Sequence, residues 1–166
     1  MIEVIPNWHP FIVHFSIAPL SMSTALFLSV YIPALSKIQK ELLITAKWCL
    51  YIGVFSTVLT VGSGWQAYGS VAHDAAGHAA MSLHRSSALV TLSLYLTVAV
   101  LFIRTQMREV NHWFIVLLLI ANSSLGVTGY LGAENVYRHG IGVKRVPEAV
   151  KSIDINHDQK DQKHQH

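Results

Sequence analysis

The chain reads as an all-α integral membrane protein, a four-helix up-down-up-down transmembrane bundle, on three observations. Of its 166 residues 52% are hydrophobic and only 13% charged, a composition too apolar for an ordinary soluble domain. No Asp, Glu, Lys or Arg occurs in 4–36, 48–73, 86–103 or 110–133, and each run is long enough to cross a hydrocarbon core of about 30 Å as a helix of about 20 residues. These runs also lack the polar face that a helix of a soluble bundle turns to water. The expected organisation is one transmembrane domain over 1–145, with spans at about 10–35, 42–65, 82–103 and 112–132, followed by a polar tail over 146–166.

The first span opens on Trp8-His9-Pro10-Phe11-Ile12-Val13-His14-Phe15. Pro10 suits a first helical turn, where its missing N–H costs nothing, whereas Pro19 removes a bond to the Phe15 carbonyl and favours a kink. Ala18, Ser21 and Ala25 follow His14 at helical spacing as a stripe suited to close packing. Glu3 with no basic neighbour is not the start of a cleaved signal peptide, so this span is expected to stay.

Lys37, Lys40 and Lys47 mark the first loop, and Gly53, Thr57, Thr60 and Gly64 share one face of the second span. The following loop, 66–83, holds Tyr68, His73, Asp74 and His78. Its later half has the composition of a helical lead-in to the third span, on which Asp74 and His78 are i,i+4 neighbours. His73 and His78 have a bland alternative as solvated loop histidines. Arg104 and Arg108 mark the next loop on the Lys37 side, and His112-Trp113 opens the fourth span. Asn122, Gly126, Gly129 and Ala133 form that span's small face. The tail, with His157, His164 and His166, is expected to be disordered and solvated.

With short loops and alternating direction, His9, His14, His73, His78, His84 and His139 fall at one membrane boundary. Five basic residues in short loops lie at the other, so positive-inside retention places the termini and the histidines on the non-cytoplasmic side. Arg138, Lys144 and Arg145 follow the fourth span and oppose that assignment.

Two stretches carry a resemblance. His9-Pro10-Phe11-Ile12-Val13-His14-Phe15 is similar to a family pattern HPxxVHFP, with Ser16 in place of the final proline. Residues 129–143, GYLGAENVYRHGIGV, resemble GYxGGxLVYxHGxGV, with Ala133 and Asn135 as departures. The family is one of small bacterial membrane proteins catalogued as a domain of unknown function. The resemblance covers about 8–143 and matches a histidine at His84. It implies a four-helix domain in a bacterial plasma (inner) membrane. Some relatives look fused to electron-transfer modules, which implies redox work.

Ionisable groups at the interior end of a membrane bundle are functional candidates by default. The first expectation is a b-type haem with His14 and His84, on diagonal spans, as axial ligands. His9 and His139 stand nearby, Gly62, Gly64, Gly126, Gly129 and Gly132 admit the macrocycle edges, and Arg85 and Arg138 pair with propionates. The second is a non-haem Zn, Cu or Fe ion held by His9, His14, His84 and His139 with Asp74 or Glu134. The third is a structural or assembly subunit of a membrane complex. As an enzyme it would be a redox component, since Ser63, Ser82 and Ser86 lack a nucleophile elbow. Cys49, the only cysteine, excludes an intrachain disulfide and a CxxCH haem attachment. The expected partners are the lipid bilayer and a redox protein or a second copy of the chain, with no support for nucleic acid.

Overall fold

The structure, a computed structural model, describes residues 8–71, 73–105 and 110–143. The tail at 146–166, with its three histidines, lies outside them, as do Arg108, Lys144 and Arg145.

Among the described residues five α-helices make four spans. The first consists of α1 (His9–Ile12) and α2 (His14–Leu28), the second of α3 (Gln39–Ser70), the third of α4 (Ala75–Thr105) and the fourth of α5 (His112–Tyr137). The break between α1 and α2 is slight, because Val13 keeps helical dihedrals (φ −56°, ψ −32°), and α2 runs on through Pro19. All four spans are long and apolar enough to cross a membrane, and no strand occurs among the described residues.

Two boundaries differ from expectation for local reasons. The α-helical part of the first span ends with α2 at Leu28 and not near residue 35, giving way to 3₁₀ turns at Ser29–Tyr31 and Pro33–Ile38. Pro33 is the cause: the residue before a proline is pushed out of the α region, and Ile32 is extended (φ −99°, ψ 103°). The helix of the third span starts at Ala75, seven residues before the span itself was expected to begin and through the expected helical lead-in, because Asp74 caps it. Its Oδ1 accepts the Gly77 N–H at 2.7 Å, which satisfies a donor that the first turn leaves without a partner. The fourth span is capped in the same way, with Asn111 Oδ1 accepting from Phe114 N at 2.8 Å. At its far end Gly140 (φ 60°) takes the left-handed turn, its N–H donating to the Val136 carbonyl at 3.0 Å.

Sequential spans pack as neighbours, α2 on α3, α3 on α4 and α4 on α5, and α2 closes the ring against α5. The first and third spans are therefore diagonal, and α1 rests on α3. Between the spans lie Leu20, Leu50, Tyr95, Val98 and Leu118, all fully buried, with Phe27 packed edge to face on Phe102 and Phe114 at the Lys37 end. In lipid, apolar burial drives helix association weakly, so close packing and interhelical hydroxyl bonds carry more of it. Ser23 donates to the Ala46 carbonyl at 2.9 Å, and the Tyr95 hydroxyl to Asn122 Oδ1 at 3.3 Å.

The first and second spans cross closely at Gly53, where an added Cβ would lie 2.6 Å from Leu20 Cδ2 and 3.2 Å from the Leu20 nitrogen. Overpacking of this kind costs about 1–3 kcal/mol. Gly53→Val is expected to lower the thermal midpoint of the detergent-solubilised protein. Gly62→Val, where a Cβ meets nothing within 4 Å, should leave it near wild type. Equal midpoints would mean that the α2–α3 crossing is looser than drawn.

Candidate functional site

The imidazole that faces His84 is that of His9. The two ring centres are 6.3 Å apart and the planes inclined by 76°. Each ring is held by the span that follows it. His9 Nδ1 lies 3.1 Å from the Thr60 carbonyl oxygen and 3.2 Å from Ser63 Oγ, and His84 Nδ1 lies 3.1 Å from the Thr128 carbonyl oxygen. A carbonyl oxygen only accepts, so both Nδ1 atoms carry the proton and Nε2 is the lone-pair nitrogen of each neutral ring.

Glycine makes room for both rings. A Cβ at Gly64 would stand 2.9 Å from His9 Cε1, and one at Gly132 would stand 3.1 Å from His84 Cε1. Gly64 follows Thr60 by one helical turn, as Gly132 follows Thr128, so anchor and cradle lie on one helix face.

The correspondence extends further. Ser16, seven residues after His9, bonds Thr60 Oγ1 at 2.7 Å, and Thr91, seven after His84, bonds Thr128 Oγ1 at 2.9 Å. Thr91 also bonds Ser124 Oγ at 2.7 Å, as Ser87 bonds Thr128 Oγ1. The site is thus built twice, once by the first hairpin and once by the second, and the two hairpins run in the same direction. This is the geometry of parallel repeats meeting at a common site.

The other expected residues are placed as follows. His14 is exposed, and its Nδ1–H donates to the Pro10 carbonyl of its own helix at 2.8 Å. His9, and not His14, stands opposite His84. Five positions separate His9 from His14 and turn them to different helix faces. His139 is half-buried beyond the end of α5. Among the described residues no hydrogen bond or ring contact joins it to another histidine.

Arg138 pairs with Glu134 at 2.7 Å on the outside of α5. Arg85 lies over Trp65 and Tyr68, 5.1 and 4.4 Å from the ring centres. Asp74 is the cap of α4, and Gly126 and Gly129 have open space where a side chain would begin. The expected ligand set of four histidines with Asp74 or Glu134 is not assembled. Among the described residues no three of His, Cys, Asp or Glu converge as metal ligands.

Thr60, Thr128, Ser16 and Thr91 were absent from the expected site. The signal that could have found them is internal: Thr-x-x-x-Gly occurs at 60–64 and again at 128–132, and comparing the two halves of the chain brings it out. One further atom bears on a ligand. Asn135, three residues beyond Gly132 on α5, is buried, and its Oδ1 lacks a hydrogen-bond partner among the described residues. A buried acceptor of this kind calls for a donor from elsewhere.

A family model described as "Predicted membrane protein (DUF2231)" matches residues 6–145. No curated protein and no solved structure gives a significant match.

Proposed function

The chain belongs to the DUF2231 family of predicted membrane proteins, and we propose that it is a b-type haem-binding, electron-transfer domain in which His9 and His84 are the axial ligands. One observation carries this reading: two imidazoles from diagonal spans approach to 6.3 Å, each with its Nδ1–H given to a carbonyl. Two imidazoles on opposite sides of one ion, each nitrogen about 2 Å from it, have ring centres about 6 Å apart. The donor number also fits. Haem iron takes four nitrogens from its macrocycle and two ligands from the protein, whereas non-haem sites draw three or four ligands from the chain. The chain brings two together.

When bound, the haem supplies one-electron transfer between ferric and ferrous iron. The chain's own residues do the rest. The Thr60 and Thr128 carbonyls fix the tautomer and orientation of both rings and raise their basicity. The paired hydroxyls of Ser16 and Thr91 tie those threonines in place. Arg85, next to His84 in sequence, is the cation assigned to a propionate. An electron-transfer role requires a redox partner protein.

The test is one visible absorption spectrum of the gently purified protein, oxidised and reduced. A Soret band with a sharpened band at longer wavelength on reduction is expected. Stoichiometric metal without a Soret band would move the function to a non-haem ion, and neither would leave a structural subunit.

We assign the pair to the non-cytoplasmic side of the plasma membrane, on the lysines and arginines of the opposite loops. In a Cys49→Ser background, Ser70→Cys is expected to react with a membrane-impermeant label in intact cells, and Ser36→Cys only after lysis. The reverse pattern would turn the site to the cytoplasm.

A further inference from the structure

A second histidine pair lies outward of the first. Tyr68 follows Gly64 by four residues on α3, so it stands on the same face one turn nearer the mouth. Its hydroxyl is 3.0 Å from His78 Nε2 and 3.0 Å from Ser82 Oγ. His78 Nδ1 is in turn 3.0 Å from His73 Nε2, and His73 Nδ1 is 2.6 Å from the Val71 carbonyl oxygen. The imidazole planes of His73 and His78 are inclined by only 20° with centres 5.3 Å apart, the separation of rings joined edge to edge through N–H···N.

One fixed end orders every proton in the neutral chain. The Val71 carbonyl can only accept, so His73 Nδ1 donates to it, and His73 Nε2 must then accept from His78 Nδ1–H. His78 Nε2 accepts in turn from the Tyr68 hydroxyl, and the Tyr68 oxygen from the Ser82 hydroxyl. Such a chain conducts by moving one proton across each link.

We propose that Tyr68, His78 and His73, with Ser82 as the inner hydroxyl, form a proton relay between water at the membrane mouth and the level of the His9–His84 pair. For a proton moving outward, the Tyr68 O–H bond breaks as His78 Nε2–H forms, and His78 Nδ1–H breaks as His73 Nε2–H forms. Tyr68 regains its hydrogen from the incoming proton. His73, now an imidazolium, parts from His78 and releases its Nε2 proton to water, and His78 exchanges its Nε2 hydrogen for one on Nδ1 through water, which restores the starting chain. No electron moves, and inward transfer is the same sequence reversed.

The charged groups around the chain polarise it. Arg85 on α4 lies 4.4 Å from the centre of the Tyr68 ring, at the inner end. At the outer end is Asp74, whose Oδ1 caps α4 and, with His73 Cβ, crowds the space over Gly77. The segment after α5 reaches that space through Ile141, which carries no charge. A cation inside and an anion outside bias an excess proton toward His73.

Only the trigger rests on the cofactor function proposed above: an electron gained at the His9–His84 site is compensated by a proton. The experiment uses the full-length protein in lipid bilayers with ¹⁵N-labelled histidine. A scalar coupling between His78 Nδ1 and His73 Nε2 across their N–H···N bond is expected, with both neutral rings in the Nδ1–H tautomer. His78→Ala should abolish the coupling, and Tyr68→Phe should keep it. In the same preparation, proton uptake after photoreduction, read by a pH dye, should slow about tenfold or more in Tyr68→Phe, with the visible spectrum unchanged. Absence of the His73–His78 coupling in the wild type overturns the relay, as does unchanged uptake in Tyr68→Phe, and a Soret band in either case keeps the cofactor function. The coupling in a protein without a Soret band supports the relay and ends the cofactor function.

Discussion

His9→Ala and His84→Ala are each expected to abolish low-spin haem, leaving either no Soret band or a high-spin form that is lost on washing, while His14→Ala keeps the wild-type spectrum. The reason is positional. His9 and His84 face each other and are fastened to different spans, so removing either takes one of two axial donors. His14 is exposed and bonded within its own helix. The fold should survive each change, because an interhelical hydrogen bond in a membrane contributes only about 0.6 kcal/mol on average. Far-ultraviolet circular dichroism on the same samples separates loss of haem from loss of helix. A spectrum lost with His14→Ala and kept with His9→Ala would restore the sequence-based pairing and overturn the structural one.

The contrast between these two histidines shows how far the sequence could be read. The four spans were legible because the hydrocarbon core demands long runs without charge, and those runs stand out in 4–36, 48–73, 86–103 and 110–133. The boundary of the first span was less so, since an apolar run does not reveal that Pro33 pushes Ile32 out of the helix. That the first and third spans each bring a histidine to the same end also followed from the pattern. Which histidine of the first span turns inward did not. Both His9 and His14 lie in the same apolar stretch, and a helix hydrophobic all round carries no periodic signal to set its phase. The phase is set by tertiary partners, the Thr60 carbonyl and the vacancy over Gly64. Backbone carbonyls are invisible to any reading of side-chain types. His73 and His78 read as loop residues in the sequence for a similar reason: their chain of bonds needs α3 and α4 already in place to bring Tyr68 to them.

Gly132→Leu and Gly64→Leu are expected to remove haem as completely as loss of a ligand, through displacement of the ring. At Gly132 a Cβ alone would reach 3.1 Å from His84 Cε1, and at Gly64 2.9 Å from His9 Cε1, closer than unstrained carbon contacts of about 3.5–4.0 Å. A leucine adds three more carbons beyond that point. The imidazole can yield only by giving up its bond to Thr128 or Thr60, and with it the fixed tautomer that presents Nε2. Small displacements matter here, because ligand geometry must hold to about 0.5 Å. Gly129→Leu is the informative control. The sequence pattern placed Gly129 beside the macrocycle, yet a Cβ there meets nothing within 4 Å, so its leucine variant should retain haem. Alanine grades the effect, Gly64→Ala and Gly132→Ala weakening retention where leucine abolishes it. Haem content per protein, measured after a fixed wash, gives the order: wild type and Gly129→Leu together, the alanine variants lower, Gly64→Leu and Gly132→Leu lowest. If Gly129→Leu falls with Gly132→Leu, the macrocycle lies along α5 as the sequence suggested; if both leucine variants at Gly64 and Gly132 keep their haem, these glycines do not seat the ligands.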